Sequence, residues 1–153
     1  MIVEHGTLVV AADGGGASVY RNASHDGPAK LEMVEIHDAN SKSFTQDGGS
    51  GAEGKYSEPV SGKTALAGHD YHEQGERQFA TRLAKRLDEL IGRHEGGKDG
   101  AGVVMFASPR FLGTIRGEYS AHLKSAIKVE IGKDLREVPA KQIEQALAKM
   151  GDA

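Results

Sequence analysis

The sequence predicts an α/β domain on a mixed five-stranded sheet, with elements in the order β-β-β-α-β-α-β-α. Three observations predict it. Near the N-terminus, three short apolar runs follow one another with short polar links, the pattern of an antiparallel meander. Beyond about residue 73, helical and strand-like apolar spacings alternate, the pattern of αβ crossovers. Between them lies a stretch rich in Gly, Ser, Asp and Lys, with almost no apolar residues.

The elements follow in order. Thr7 to Ala12 is a buried-strand run, and Asp13-Gly14-Gly15-Gly16 is a tight turn whose Asp and Gly accept positive φ. Ala17 to Arg21 alternates as a second strand and Leu31 to His37 as a third. Alternation puts Leu31 and Met33, with Glu35 following, on one face of the third strand and Val34 and Ile36 on the other. Residues 38–72 are expected to form a long flexible loop.

Phe79, Leu83, Leu87, Leu90 and Ile91 recur at helical spacing and predict a helix from about Glu73 to Ile91, ended by Gly92. Its opposite face carries Arg77, Arg82, Lys85, Arg86 and Arg93. The apolar run Ala101 to Ala107 then stops at Ser108. Pro109 follows, and Phe111, Leu112 and Ile115 take up helical spacing to about Leu123. This is a buried strand running into a helix, with Ser108 as N-cap and Pro109 at the first helical position. Gly113 and Gly117 weaken that helix by about 1 kcal/mol each and fall on one side, where a neighbouring backbone can approach. Ala126 to Ile131 is the fifth strand, and Pro139 opens a last helix with Ile143, Leu147 and Met150 on one face. Right-handed crossovers place the helices against the sheet.

The chain has 153 residues, which suits one domain over 1–153 with a sizeable core. Cysteine is absent, which excludes disulfides, thiolate metal sites and a Cys nucleophile. The N-terminal apolar run is short and lacks a basic region before it, and no run of about 20 apolar residues occurs, so neither a signal peptide nor a membrane span is expected. The expected location is the cytoplasm. Net charge is −3, yet its distribution is uneven. Residues 1–75 hold 5 Lys/Arg against 11 Asp/Glu, and residues 76–153 hold 14 against 11. The helix-bearing half therefore offers a modest basic face.

Four segments resemble, in order, the bacterial host attachment protein family: VVAADGGGASVYRN, GERQFATRLAKRLDEL, ASPRFLGTIRGEY and IGKDLREVPAKQIEQAL. The more specific part is FLG-x-[IL]-R with the downstream Lys133-Asp134-Leu135. That family is similar in turn to the middle domain of archaeal and eukaryotic peptide-chain release factors, and the element order is shared with ribonuclease H-like folds. In release factors, a loop between the third strand and the first long helix carries Gly-Gly-Gln. The matching stretch here reads Gly48-Gly49-Ser50, and a Ser side chain cannot supply the Gln amide.

A ribonuclease H-type nuclease needs carboxylates on its first strand, first helix and fourth strand to hold two metal ions. Asp13 ends the first strand, but VVMFAS on the fourth has no acid. His69 and His72 share a helical turn without a third partner fixed by spacing. Gly14-Gly15-Gly16 lies between strands, not before a helix, and so lacks the setting of a dinucleotide or P-loop site. No catalytic residue, metal or cofactor is expected.

The better candidate is the strand-to-helix junction. Ser108, the free N–H groups beside it and Arg110 suit an anion such as phosphate. Arg116, six residues on from Arg110, projects from a different side; with Lys133 it completes the expected anion- or RNA-binding set, and Tyr20 and Lys128 are further polar options. The plain alternative is a helix cap flanked by solvated arginines. The leading expectation is a non-catalytic binding module contacting ribosomal or other structured RNA. The alternatives are a hydrolase acting on RNA or peptidyl-tRNA, and an interaction factor affecting attachment indirectly. Oligomeric state stays open.

Overall fold

The computed structural model describes residues 3–40, 44–45, 68–93 and 102–150. A mixed sheet carries five principal strands: β1 (Leu8–Asp13), β2 (Gly16–Asn22), β3 (Leu31–Asp38), β5 (Val103–Ala107) and β6 (Ile127–Ile131). A two-residue strand, β4 (Phe44–Thr45), lies beside β3. The spatial order is β4-β3-β2-β1-β5-β6. The first four strands pair antiparallel, and β1–β5 and β5–β6 pair parallel. The helices are α1 (Gly68–Arg93), α2 (Pro109–Arg116), α3 (Ala121–Ala126) and α4 (Ala140–Met150).

Two cores cover the two faces. On one, Phe79, Leu83 and Leu87 of α1 and Phe111 and Ile115 of α2 pack on Leu8, Val10, Val103 and Met105. The rings of Phe79 and Phe111 stand 5.6 Å apart where α1 meets α2. On the other, Ile143 and Leu147 of α4 pack on Val9, Ala11, Val104 and Phe106. Glu144 of α4 also accepts the N–H of Leu31 at 2.8 Å, tying the helix to the start of β3.

Several expectations are corrected. The helix expected over 109–123 is two helices. Gly117 caps α2 with its N–H on Ile115 and Thr114 carbonyls, and the Ser120 hydroxyl accepts from Leu123 N–H to start α3. A Ser at an N-cap offers the backbone an alternative to helix continuation, and Gly117 lowers the cost of the break. α1 begins five residues before the expected start and runs through Gly92, which therefore does not end it. The loop expected over 38–72 is bounded more closely, since β4 and the first turn of α1 fall inside that range. Residues 46–67 of it, with Gly48-Gly49-Ser50, lie outside the described residues, as do the side chains of His69 and His72.

The third strand departs from simple alternation. Val19 pairs with Glu35 and Tyr20 with Met33, so Val34 is an extra residue, a β-bulge. Leu31 and Met33 stay on the α4 face, but the bulge turns Glu35 and His37 toward α1. A second register shift lies between β5 and β6, where Val103 pairs with Ile127 and Val104 with Val129, leaving Lys128 as the extra residue.

The hairpin glycines also answer a different need from the one expected. Among the described residues the left-handed glycines are Gly6 and Gly27, not those of the turn. At Gly16 the reason is close approach: a Cβ there would lie 2.5 Å from the backbone oxygen of His37. At Gly113 a Cβ would meet nothing within 4 Å, so no neighbouring backbone among the described residues approaches it. Gly16→Ala is therefore expected to cost about 1–3 kcal/mol through overpacking. Gly113→Ala should instead stabilise by up to about 1 kcal/mol. Urea denaturation of the two variants against the parent checks both signs.

Candidate functional site

The strand-to-helix junction is built as expected. Ser108 has an extended backbone, its hydroxyl accepts from Phe111 N–H at 3.4 Å, and Pro109 opens α2. Ser108 N–H bonds Ala12 O at 3.2 Å, which extends the β1–β5 ladder by one step. The Ser108 hydroxyl is thus engaged as a cap. Arg110 is exposed and pairs with Glu76 of α1 at 3.6 Å. Lys133 is exposed just beyond β6. Tyr20 lies in the α4-side core, where burial pushes its hydroxyl above the ordinary tyrosine range.

Arg116 stands elsewhere, at the far end of α2. It and Arg110 border different depressions. Arg110 lines one of about 600 Å³ with Glu76, Arg77, Thr114 and Glu118, a balanced mixture of charge. Arg116 lines a groove of about 430 Å³ with Tyr119, Lys124, Ile127, Lys128, Val129 and Glu130. The four residues expected to hold an anion therefore do not converge on one point.

The groove beside β6 is the more one-sided of the two, with three cations against one carboxylate. Glu130 is already engaged. Its Oε1 accepts from Arg116 Nε at 2.8 Å, and its Oε2 from the Tyr119 hydroxyl at 2.8 Å. Burial, with Glu130 adding to it, raises the Tyr119 hydroxyl well above the ordinary range and keeps it a donor. Lys124 and Lys128 form no ion pair among the described residues. Lys128 is nevertheless placed, because its stem crosses Gly102, where a Cβ would come within 2.6 Å of Lys128 Cε. The break at 117–120 and the bulge at Lys128 bring these groups together. Neither shows as a helical or alternating pattern, so Tyr119, Lys124 and Glu130 were not legible as a site.

A second polar cluster lies under α1. The Glu35 side chain is only 1% exposed, and Arg86 Nε donates to both its oxygens, at 3.1 and 2.9 Å. Arg86 Nη2 also donates to Oε2. His37 Nε2 stands 3.0 Å from Glu35 Oε1. Arg86 reaches on to Glu89 at 3.0 Å. At the hairpin, Arg136 Nη1 donates to Asp13 Oδ1 at 3.0 Å. Among the described residues no three His, Asp or Glu side chains gather where they could hold a metal ion, and no helix is long and apolar enough to cross a membrane.

Residues 8–147 match the family model described as "protein required for attachment to host cells". The chain belongs to that family. The match spans both halves of the host attachment chain, from β1 into α4, and includes the junction, the groove and the buried Glu35 cluster. No curated protein matches the chain.

The Glu35 cluster makes two measurable demands. Removing one partner of a buried pair strands the other charge, so Arg86→Met is expected to cost about 3–5 kcal/mol in urea denaturation. Burial, chiefly, lowers the His37 imidazole below its ordinary range; Glu35 pulls it up, and Arg86 and Arg82 push it further down. The unfolded chain then binds more protons than the folded one below about pH 6.5. The contribution of neutral His37 is present above that value and is lost as pH falls through it toward the lower folded value. His37→Gln should flatten stability against pH across that interval.

Proposed function

We propose that this host attachment family member is a non-catalytic binding module that grips the phosphate backbone of RNA along the groove beside β6. The observation that carries the reading is the groove itself. Three cations line it, and its one carboxylate is held by one hydrogen bond each from Arg116 and Tyr119, leaving Lys124 and Lys128 for an anionic ligand. Tyr119 and the aliphatic side chain of Ile127, on the same side of the sheet, add surface that a nucleobase can cover. The excess of basic residues in the helix-bearing half supports the same polarity of partner. On this reading the likeness to release-factor middle domains extends to an RNA-facing surface, with ribosomal RNA as the partner class and the cytoplasm as the place of action. The Gly-Gly-Gln chemistry is not part of it, because this chain carries Gly48-Gly49-Ser50.

Phosphate contacts make affinity fall linearly with the logarithm of salt concentration. The protein is expected to co-sediment with ribosomes, and to bind a structured RNA fragment, at low salt and to release both at high salt. Lys124→Ala and Lys128→Ala should each weaken binding across all RNA sequences and reduce the salt slope by about 1. Arg116→Ala should weaken it too, whereas Arg110→Ala, on the neighbouring depression, should do less. Binding indifferent to salt and to both lysines would overturn the reading.

A further inference from the structure

We propose that the groove beside β6 accepts a guanine nucleotide in preference to the other bases, with Glu130 reading the base. The inference rests on the anionic-ligand reading of the same groove and adds to it the identity of the base. Three features point there together.

The first is size. About 430 Å³ is within the range of small-molecule sites, roughly 300–1,000 Å³, and suits one nucleotide better than a duplex. The second is the division of the lining. Ile127 and the ring of Tyr119, both on the α1 side of the sheet, offer apolar contact to a planar heterocycle, while Lys124 and Lys128 offer charge to a phosphate. A site for phosphate alone has no use for the apolar part.

The third is the state of Glu130. Arg116 Nε holds one oxygen and the Tyr119 hydroxyl holds the other, so both side-chain oxygens are fixed before any ligand arrives. Each carboxylate oxygen still has a free lone-pair direction. Two side-by-side acceptors match a partner with two adjacent N–H donors, in the way carboxylates take paired donors from arginine. Guanine carries such a pair on one edge, at N1 and the 2-amino group. Adenine offers an amino group beside an acceptor nitrogen, cytosine likewise, and uracil a single N–H between two carbonyls. The uracil carbonyls would also face the carboxylate unfavourably. Guanine thus meets both oxygens with donors, whereas each of the other bases sets at least one acceptor against the carboxylate.

Isothermal titration with GMP, IMP and AMP at low salt, together with two short RNA oligomers that differ in one G-to-A position, tests the inference. GMP is expected to bind at least tenfold more tightly than AMP, and the guanine-bearing oligomer more tightly than its adenine counterpart. IMP keeps the N1 donor but lacks the 2-amino group, and should bind at least fivefold more weakly than GMP. Glu130→Gln should bring GMP and AMP to within twofold, while Lys124→Ala should weaken both by the same factor. If Glu130→Gln fails to fold, the GMP–IMP comparison on the unaltered chain carries the test alone. Equal affinity for GMP and AMP, or discrimination that survives Glu130→Gln, overturns the guanine inference and leaves the RNA reading standing. Failure of every nucleotide and oligomer to bind overturns both. Tighter binding of the guanine-bearing oligomer than of GMP identifies RNA as the source of the nucleotide, and the reverse identifies the free nucleotide.

Discussion

The central strands β1 and β5 lie side by side, and every residue from Leu8 to Ala12 and from Val103 to Ala107 is out of water. Strands buried on both faces cannot stop at one helical layer, because each exposed face would leave several aliphatic side chains in solvent. That requirement sets the rest of the architecture. α1, α2 and α3 cover one face and α4 covers the other. With β1 paired to β2 on one side and β5 on the other, the last strand joins beside β5, at one edge of the sheet.

The groove is a by-product of that edge position. A short α2, a turn, and a short α3 bring the chain back to the start of β6, so the end of α2, the turn and the strand come to line one depression. A single helix over the same residues would carry the chain past that point. The bulge at Lys128 does the complementary work on the strand. It lets Ile127 pack against the α1-side core while Val129 and Ile131 pack on the α4 side. Glu130 then remains for Arg116 and Tyr119.

Much of this was legible from residues alone. The two apolar runs at 7–12 and 101–107 read as buried strands, and Phe79 to Ile91 as one face of a helix. Ser108-Pro109 read as a helix start, and its hydroxyl cap is in place. Glu35 shows the limit. By alternation it belongs with Leu31 and Met33, yet it lies against α1 with Arg86 on its carboxylate. Arg86 in turn read as part of the helix face opposite the apolar one, although it meets a buried acid. Each half of the pair is anomalous by itself, and only their meeting makes either position affordable. The hairpin glycines were recognised as a turn, but none has a left-handed backbone, and at Gly16 the physical reason is the nearness of the His37 carbonyl on β3.

The sequence by itself determined the order of the five principal strands, the mixed sheet and the capped junction. These depend on spacings within one segment, where 3.6-residue and two-residue periods act locally. The tertiary structure alone decided the two bulges, the break between α2 and α3, and the partners of Glu35, Arg116 and Glu130. Each of these trades a local regularity for a contact with a residue far along the chain: Glu35 with Arg86 across 51 positions, and Arg116 with Glu130 across 14. A pattern read within a window has no access to such a contact, because its free energy exists only once the strands and helices have been brought together.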